Sequence, residues 1–300
     1  MDEFFSADIE DEARRRHKED FLDLTNDALF KYLFANNAHK DLTISLLNSL
    51  LDFELKHEIK NLEFLSTEIG ADKEDGKSCR LDVLCELDSG EQVNIEMQRI
   101  DNHNMFKRSL DYWASCYKGQ LEKGDDYNLH LPVICINILN YEIFKWRKSY
   151  FNLAALHFEN PDERISDELR LLFIELPKLQ NIIQNKNWSK REYWLKLLDP
   201  SVPFAEKEKF AMNDVAMSGA IELTKRFSGD YLQRMRYVFE ERAERDRISE
   251  INYAKKETTE ENALSLMRNG ANLDLITKSL GYSREELLEL AKANNITVKE

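Results

Sequence analysis

Three side chains suited to metal and phosphate chemistry lie in one short stretch, RLDVLCELDSGEQVNIEMQ, which runs from residue 80 to residue 98. Asp82 stands in its first half, and Glu96 and Gln98 stand in its second half. Carboxylate oxygens are the ligands that Mg²⁺ prefers, with waters and substrate phosphates in the remaining positions. A cation held between Asp82 and Glu96 would lower the pKa of a bound water and hold a phosphodiester oxygen. Gln98 would then orient the water or the phosphate.

The alternation of apolar and polar residues predicts that this stretch folds as a β-hairpin. Its DSG segment (88–90) suits a three-residue connection whose glycine takes the left-handed conformation. That loop makes Leu87 and Glu91 the first pair, and Asp82 then lies directly opposite Glu96. Like charges directly across a strand pair destabilise it, and a divalent cation would neutralise them.

Two alternatives stay open for these acids. Acidic side chains on the solvent face of a hairpin are ordinary and need no metal ion. A two-residue loop would also shift the register by one residue and place Asp82 opposite Met97.

The overall charge restricts the function classes. The chain has 42 Lys and Arg against 56 Asp and Glu, which gives a formal net charge of −14. Because proteins that coat nucleic acid nonspecifically are basic, this balance argues against that class. It leaves room for an acidic site that takes cations, with nucleic-acid contacts from a few local basic residues.

The rest of the sequence predicts the elements that position these residues. Before Pro177, helical patterns at 25–34, from 39 onward and at 101–121 alternate with strand patterns at 57–70, 131–139, 152–158 and 169–176. This order predicts an α/β fold with a central mixed sheet flanked by helices. After Pro177 the patterns are helical, at 189–198, 204–217, 219–227, 230–256 and in two short helices near the end. SREE (283–286) predicts a capping box for the last helix.

The chain shows no pattern of a membrane protein. No apolar run has the length that spans a bilayer, and the first twenty residues lack the pattern of a signal peptide. The four cysteines show neither CxxC nor paired metal-ligand spacing, which predicts reduced thiols. We therefore expect a cytoplasmic protein without a membrane partner.

Four collinear segments between about Thr25 and Glu142 carry a likeness to a known family. They are NDALFKYLF (26–34), the hairpin segment (80–98), RSLDYWASCYKGQLEKGDDY (108–127) and LPVICINIL (131–139). The chain resembles the recombination-promoting nuclease group of the PD-(D/E)XK superfamily, often described as a transposase family. The resemblance implies a restriction-endonuclease-like core over residues 20–180. It also implies an all-helical C-terminal region, 181–300, that contacts DNA or forms a homodimer.

The resemblance implies a metal-dependent DNA endonuclease that promotes recombination and uses Mg²⁺ or Mn²⁺. Asp82 and Glu96 would be metal ligands and Glu86 would not be required. Asp27 falls near an N-terminal acidic position of some members, although an acid in the first turn of a helix is equally explained by the helix dipole. Gln98 takes the place of the superfamily lysine, which removes a positive charge from the reacting phosphate.

Basic and aromatic residues of the predicted helix 101–121 are candidates for DNA contact. Arg108 and Tyr112 are four residues apart and share a helix face, and related nucleases use a polar residue and a tyrosine at this spacing beside the acids. Arg108 would bind the scissile phosphate bidentately, or else pair on the surface with Asp111 or Asp101. Further phosphate-contact candidates, each equally explained as a solvated side chain, are Lys31, Arg99, Lys107 and Lys118.

Two other functions remain compatible with the sequence. A non-catalytic interaction protein built on a decayed nuclease fold would explain the acidic balance and Gln98. A ribonuclease or other phosphodiesterase would use the same acidic site.

Overall fold

A six-stranded mixed β-sheet forms the centre of the first of the two units, residues 1–240 and 241–300, into which the chain divides. The computed structural model describes residues 9, 11–12, 23–55, 57–69, 79–160, 162–179, 188–294, 296 and 298. Within these ranges no helix is both long and apolar enough to cross a membrane. Most of the first twenty residues lie outside the described ranges, so the N-terminal prediction is not addressed by the structure.

The strands give a sheet with a parallel centre and antiparallel edges. In chain order they are β1 (Leu62–Phe64), β2 (Glu68–Ile69), β3 (Cys79–Arg80), β4 (Val83–Leu87), β5 (Gln92–Gln98), β6 (Val133–Leu139), β7 (Phe151–Ala155) and β8 (Leu169–Glu175). The sheet order is β1-β4-β5-β6-β8-β7, and β2 pairs with β3 separately. Strands β5, β6 and β8 are parallel neighbours. Strands β6 and β8 are buried along their whole length, as expected for strands covered on both faces.

Helices of the first unit cover both faces of this sheet. In chain order, the α-helices of the described residues are α1 (Asp27–Phe34), α2 (Lys40–Leu50), α3 (Met105–Gly119), α4 (Leu176–Leu179), α5 (Lys190–Leu198), α6 (Phe204–Ala211), α7 (Val215–Gly229), α8 (Tyr231–Arg268), α9 (Leu273–Leu280) and α10 (Arg284–Ala293). The last two lie in the second unit, which has a hydrophobic core of its own. One core joins Phe34 and Trp194 to Ile95 of β5. A second core joins Met105 of α3 to Phe173 of β8. The predicted α/β class with a central mixed sheet and a helical C-terminal region is confirmed.

The hairpin of β4 and β5 has the predicted register. Val83 pairs with Ile95 and Glu86 pairs with Gln92. Gly90 closes the loop at φ 102°, a conformation that side chains with a Cβ rarely adopt. The predicted apolar face belongs to the first core and consists of Val83, Cys85, Leu87, Val93, Ile95 and Met97.

Three predicted boundaries were wrong. The strand predicted at 57–70 is divided into β1 and β2, which belong to different sheets. The helix predicted at 204–217 ends at Ala211, and α7 begins at Val215. Asp214 decides this boundary because its carboxylate caps α7, accepting from the Met217 N–H at 3.0 Å. Helix α8 continues to Arg268, beyond the predicted end at 256.

The helices after residue 180 contribute to the core of the sheet. Trp194 and Phe227 are fully buried in the cluster that also contains Val93. The first unit therefore extends to Glu240. A functional division at residue 180, between a nuclease core and a DNA-binding or dimerising region, stays a prediction.

Candidate active site

The candidate site begins with two carboxylates held side by side at the open end of the hairpin. Asp82 immediately precedes β4, and its Oδ2 accepts from the Met97 N–H at 2.9 Å. Glu96 lies in β5, and its Oε1 accepts from the Asp82 N–H at 3.3 Å. Each carboxylate thus reaches the backbone of the opposite strand, which keeps the two acids together.

Burial makes this acid pair electrostatically costly. The side chain of Glu96 is only 1% exposed, which excludes the ordinary solvent-facing acid for that residue. Burial, and next the charge on Asp82, raise the pKa of Glu96 to about 8. Burial also raises the pKa of Asp82 to about 6, although the nearby ammonium of Lys31 opposes the shift. At neutral pH the two carboxylates therefore retain a proton between them unless another cation replaces it.

Helix α1 brings a lysine to the pair. Asn26 caps this helix, with its side-chain oxygen accepting from the Ala28 N–H at 3.0 Å. One turn later, the Lys31 Nζ lies 2.6 Å from Asp27 Oδ1 and 3.1 Å from Asp82 Oδ1. Burial alone would lower the pKa of Lys31, but the two aspartates outweigh it and the pKa is raised. Asp27 is thus linked to the acid pair by the ammonium of Lys31, which contacts both aspartates.

The donor set suits a cation bound by two carboxylates. No group of three or more His, Cys, Asp or Glu side chains that could hold a metal occurs among the described residues. Mg²⁺ commonly takes one or two carboxylates and fills its remaining positions with water and phosphate. Asp82 and Glu96 fit that requirement, while direct ligation by Asp27 stays a prediction.

On the other side of Glu96, an amide and a guanidinium continue the polar network. Gln98 Nε2 donates to Glu96 Oε2 at 3.3 Å, and Arg108 Nη1 donates to Gln98 Oε1 at 3.2 Å. Arg108 also donates from Nε and Nη2 to the Tyr112 hydroxyl, at 3.1 and 2.5 Å. Asp101, one of the two surface partners considered for Arg108, pairs with His103 instead. A positive charge therefore lies beside Gln98, where the superfamily motif has a lysine.

The predicted site residues fall into one connected group and one outlier. The connected group is Asp27, Lys31, Asp82, Glu96, Gln98, Arg108 and Tyr112. The outlier, Arg99, has its guanidinium 3.5 Å from Asp23 Oδ2. A phosphate contact by Lys31 or Arg99 stays a prediction.

Sequence reasoning missed Tyr141, which lies beside this group. Burial, and next the charge on Asp101, raise the pKa of the Tyr141 hydroxyl above its usual range, while Arg108 opposes the shift. The residue follows β6, whose last residue pairs with Gln98. Ligands of open α/β sheets bind outside the carboxyl ends of the parallel strands. The position of Tyr141, two residues after the buried strand β6, is the signal that would have found it.

One family model matches most of the chain. Residues 24–254 match the family model of the PD-(D/E)XK nuclease family transposases. The chain belongs to this family. The matched range includes α1, the hairpin and α3, and hence every element that carries the candidate site. No curated protein and no solved structure was found to match the chain.

The raised pKa of Glu96 predicts how the stability of this PD-(D/E)XK protein depends on pH. Because the pKa of Glu96 rises from 4.5 to about 8 in the folded protein, folding favours the protonated carboxyl. We expect the free energy of unfolding, measured by urea denaturation in EDTA, to fall by on the order of 1 kcal/mol or more between about pH 6 and about pH 8.5. The Glu96→Gln variant should lose most of that slope. An unchanged slope in the variant would show that other groups cause it.

The position of Lys31 predicts that its ammonium competes with a bound metal ion for the Asp82 carboxylate. Replacing Lys31 by methionine removes the positive charge 3.1 Å from Asp82 while keeping an apolar stem. We expect the Mn²⁺ affinity, measured by calorimetry, to rise about tenfold, since a nearby like charge disfavours a cation. Lys118→Met, at the far end of α3, should leave the affinity unchanged. A weaker affinity in Lys31→Met would contradict the competition.

Proposed function

We propose that this chain is a Mg²⁺- or Mn²⁺-dependent DNA endonuclease that hydrolyses phosphodiester bonds and promotes DNA recombination in the cytoplasm. The observation that carries the proposal is the pairing of the buried Glu96 with the largely buried Asp82, since the two cannot be fully ionised at neutral pH without a cation. Membership of the PD-(D/E)XK family supports a phosphodiester as the substrate of that cation site.

The chemistry would be divided among the residues of the connected group. A divalent ion bound by Asp82 and Glu96 would supply an acidified water and neutralise charge on the phosphate. Glu96 must first release its proton to solvent, so deprotonation and cation binding are coupled. Gln98 fixes the orientation of the Glu96 carboxylate through its 3.3 Å hydrogen bond and keeps a second N–H for a water or phosphate oxygen.

Arg108 would stabilise the negative charge that builds on the phosphate during hydrolysis. Its guanidinium is held by Gln98 and Tyr112 before any substrate arrives. A donor that is already oriented spends no reorganisation energy during the reaction, which is the basis of electrostatic catalysis. In this way Arg108 would supply the charge that Gln98 lacks relative to the superfamily lysine.

Plasmid nicking by the native chain tests the proposal. We expect supercoiled DNA to be cut with Mg²⁺ or Mn²⁺ and not with Ca²⁺, whose larger and more flexible coordination differs from that of Mg²⁺. Parallel digestion of RNA, single-stranded DNA and duplex DNA distinguishes a DNA endonuclease from a ribonuclease. Cutting of RNA alone would overturn the choice of DNA, and no cutting of any substrate would overturn hydrolysis.

A non-catalytic interaction protein is the second candidate. It is favoured by the Lys31 ammonium, which already balances Asp82 and Asp27, and by the amide at Gln98. Such a protein would show neither heat of binding nor thermal shift with Mn²⁺ or Mg²⁺, whereas the nuclease would show both.

For the helical C-terminal region we propose dimerisation rather than DNA reading by its last helices. Helix α9 ends at Gly281, which has a φ of 77°, and the predicted capping box of Ser283 and Glu286 opens α10. Helix α10 carries more acids than bases in its sequence REELLELAKA, which disfavours contact with phosphates. A mass of one chain in multi-angle light scattering would contradict the dimer.

A further inference from the structure

A cavity of about 520 Å³ opens beside the candidate active site. Two connecting segments line it: residues 101–106, which follow β5, and residues 142–146, which follow β6. Its volume falls in the range of about 300–1,000 Å³ that is usual for ligand sites. The cavity lies at the first turn of α3, the helix that also carries Arg108, and its lining begins three residues after Gln98.

Three aromatic rings form much of the cavity wall, and two of them are exposed. Trp146 is 78% exposed and Phe106 is 48% exposed. Phe144 meets Trp146 edge-on with ring centroids 5.6 Å apart and meets the buried Phe173 at 5.3 Å. Phe106 stacks on Phe173 at 6.0 Å. Phe106 therefore rests directly on a core ring, and Trp146 rests on Phe144, which contacts the same core ring, as expected of a binding surface.

A buried ion pair holds the segment that carries these rings. The Glu175 carboxylate accepts from the N–H groups of Ile143 and Phe144, at 2.7 and 3.0 Å. Lys178 Nζ donates to the Phe144 carbonyl and to Glu175, each at 2.7 Å. Because both charged side chains are almost fully buried, the segment is fixed before a ligand arrives, which lowers the entropic cost of binding.

Both basic and acidic side chains occur at the cavity. Lys145, Arg147 and Lys148 flank Trp146 and are exposed, in a chain whose net charge is −14. Asp101 and Glu142 belong to the lining of the cavity, as does Lys145. A phosphate is attracted to the basic side chains, whereas the amino groups of a nucleobase would find acceptors in the carboxylates. Alternating aromatic and basic residues are typical of surfaces that bind single-stranded nucleic acid by stacking.

We propose that this cavity binds an unpaired nucleobase of the DNA substrate, stacked on Trp146 and Phe106, adjacent to the scissile phosphate. The inference rests on the proposed action on DNA and adds a substrate class to it. DNA that offers unpaired nucleotides, such as an overhang or a fork, would bind more tightly than fully paired DNA. Lys145 and Lys148 would hold the phosphates that flank the inserted base.

Binding of labelled DNA to the full chain in Ca²⁺ tests the inference by fluorescence anisotropy. Trp146→Ala should weaken the binding of duplex DNA with a single-stranded overhang by about tenfold or more, since stacking contributes about 1–3 kcal/mol per base. Binding of fully paired DNA should change less than about twofold. Trp146→Phe keeps a ring and should retain most of the affinity. Tyr127→Ala, which removes an 85% exposed ring outside the cavity, should have no effect.

The outcomes separate this inference from the proposed nuclease activity. If the native chain nicks plasmid but both Trp146 variants bind the overhang as tightly as the native chain, the cavity has no such role while the nuclease proposal stands. If the native chain cuts no DNA but binds overhangs through Trp146, catalysis is overturned while the cavity assignment stands. If the native chain binds no DNA, both are overturned.

Discussion

The Glu96→Gln variant is expected to nick plasmid at least about 10³-fold more slowly than the native chain in Mg²⁺. Glutamine keeps the shape of the side chain and an oxygen that can accept from the Asp82 N–H. It removes the negative charge that a divalent ion needs from its second carboxylate. Losses of this size are typical when a group that stabilises charge in the transition state is removed. The measurement is the initial rate of conversion of supercoiled to nicked DNA, with metal at saturation for the native chain.

The same variant should fold at least as stably as the native chain at about pH 8. Glu96 is buried beside Asp82, and ionising it costs free energy that glutamine avoids. Glu86→Gln is the matched control, since Glu86 lies in the adjoining strand and pairs with Gln92, away from the acid pair. The control should retain native activity. A Glu96→Gln variant that nicks DNA at the native rate would remove Glu96 from the mechanism.

The Arg108→Ala variant is expected to show the second large loss, about 10²–10³-fold in kcat. Alanine leaves Gln98 Oε1 and the Tyr112 hydroxyl without the guanidinium that both contact. The positive charge that would face the reacting phosphate is lost as well. Because Arg108 is assigned to the transition state, kcat should fall more than KM rises. Steady-state kinetics on a short duplex would separate the two parameters.

Two further substitutions test whether the geometry of Arg108 matters in addition to its charge. Arg108→Lys should recover only part of the activity, because one ammonium cannot reproduce the planar fork that contacts both neighbours. Lys118→Ala removes a positive charge from the last turn of the same helix, about 15 Å along its axis, and should have little effect. Equal losses for Arg108→Ala and Lys118→Ala would indicate nonspecific attraction of DNA rather than a role in the reaction.

The hairpin could be predicted because its determinants are local. The loop 88–90 fixes the register, and the period of two along a strand then places Asp82 across from Glu96. That Arg108 and Tyr112 share a helix face was also a local inference, since they are four residues apart in a helix. These inferences needed no knowledge of how the elements pack.

Features that depend on tertiary packing could not be read from the sequence. The burial of Glu96 arises because α3 covers that face of the sheet. The position of Lys31 between Asp27 and Asp82 requires α1 to pack at the start of β4. Tyr141 and the cavity beside it depend on the connections after β5 and β6 meeting at one edge of the sheet. The helix predicted at 204–217 was wrong for a different reason. The signal for its end was local, namely the capping residue Asp214, but the helical pattern on both sides concealed it.

Anomalous diffraction from a crystal soaked in a Mn²⁺ salt tests most directly whether Asp82 and Glu96 share a cation. We predict one anomalous peak bonded to an oxygen of each carboxylate, with the Lys31 ammonium displaced from Asp82, and no such peak in crystals of the Glu96→Gln variant. A native crystal that takes up no Mn²⁺ between these two residues, with Lys31 still paired to Asp82, would contradict the assignment.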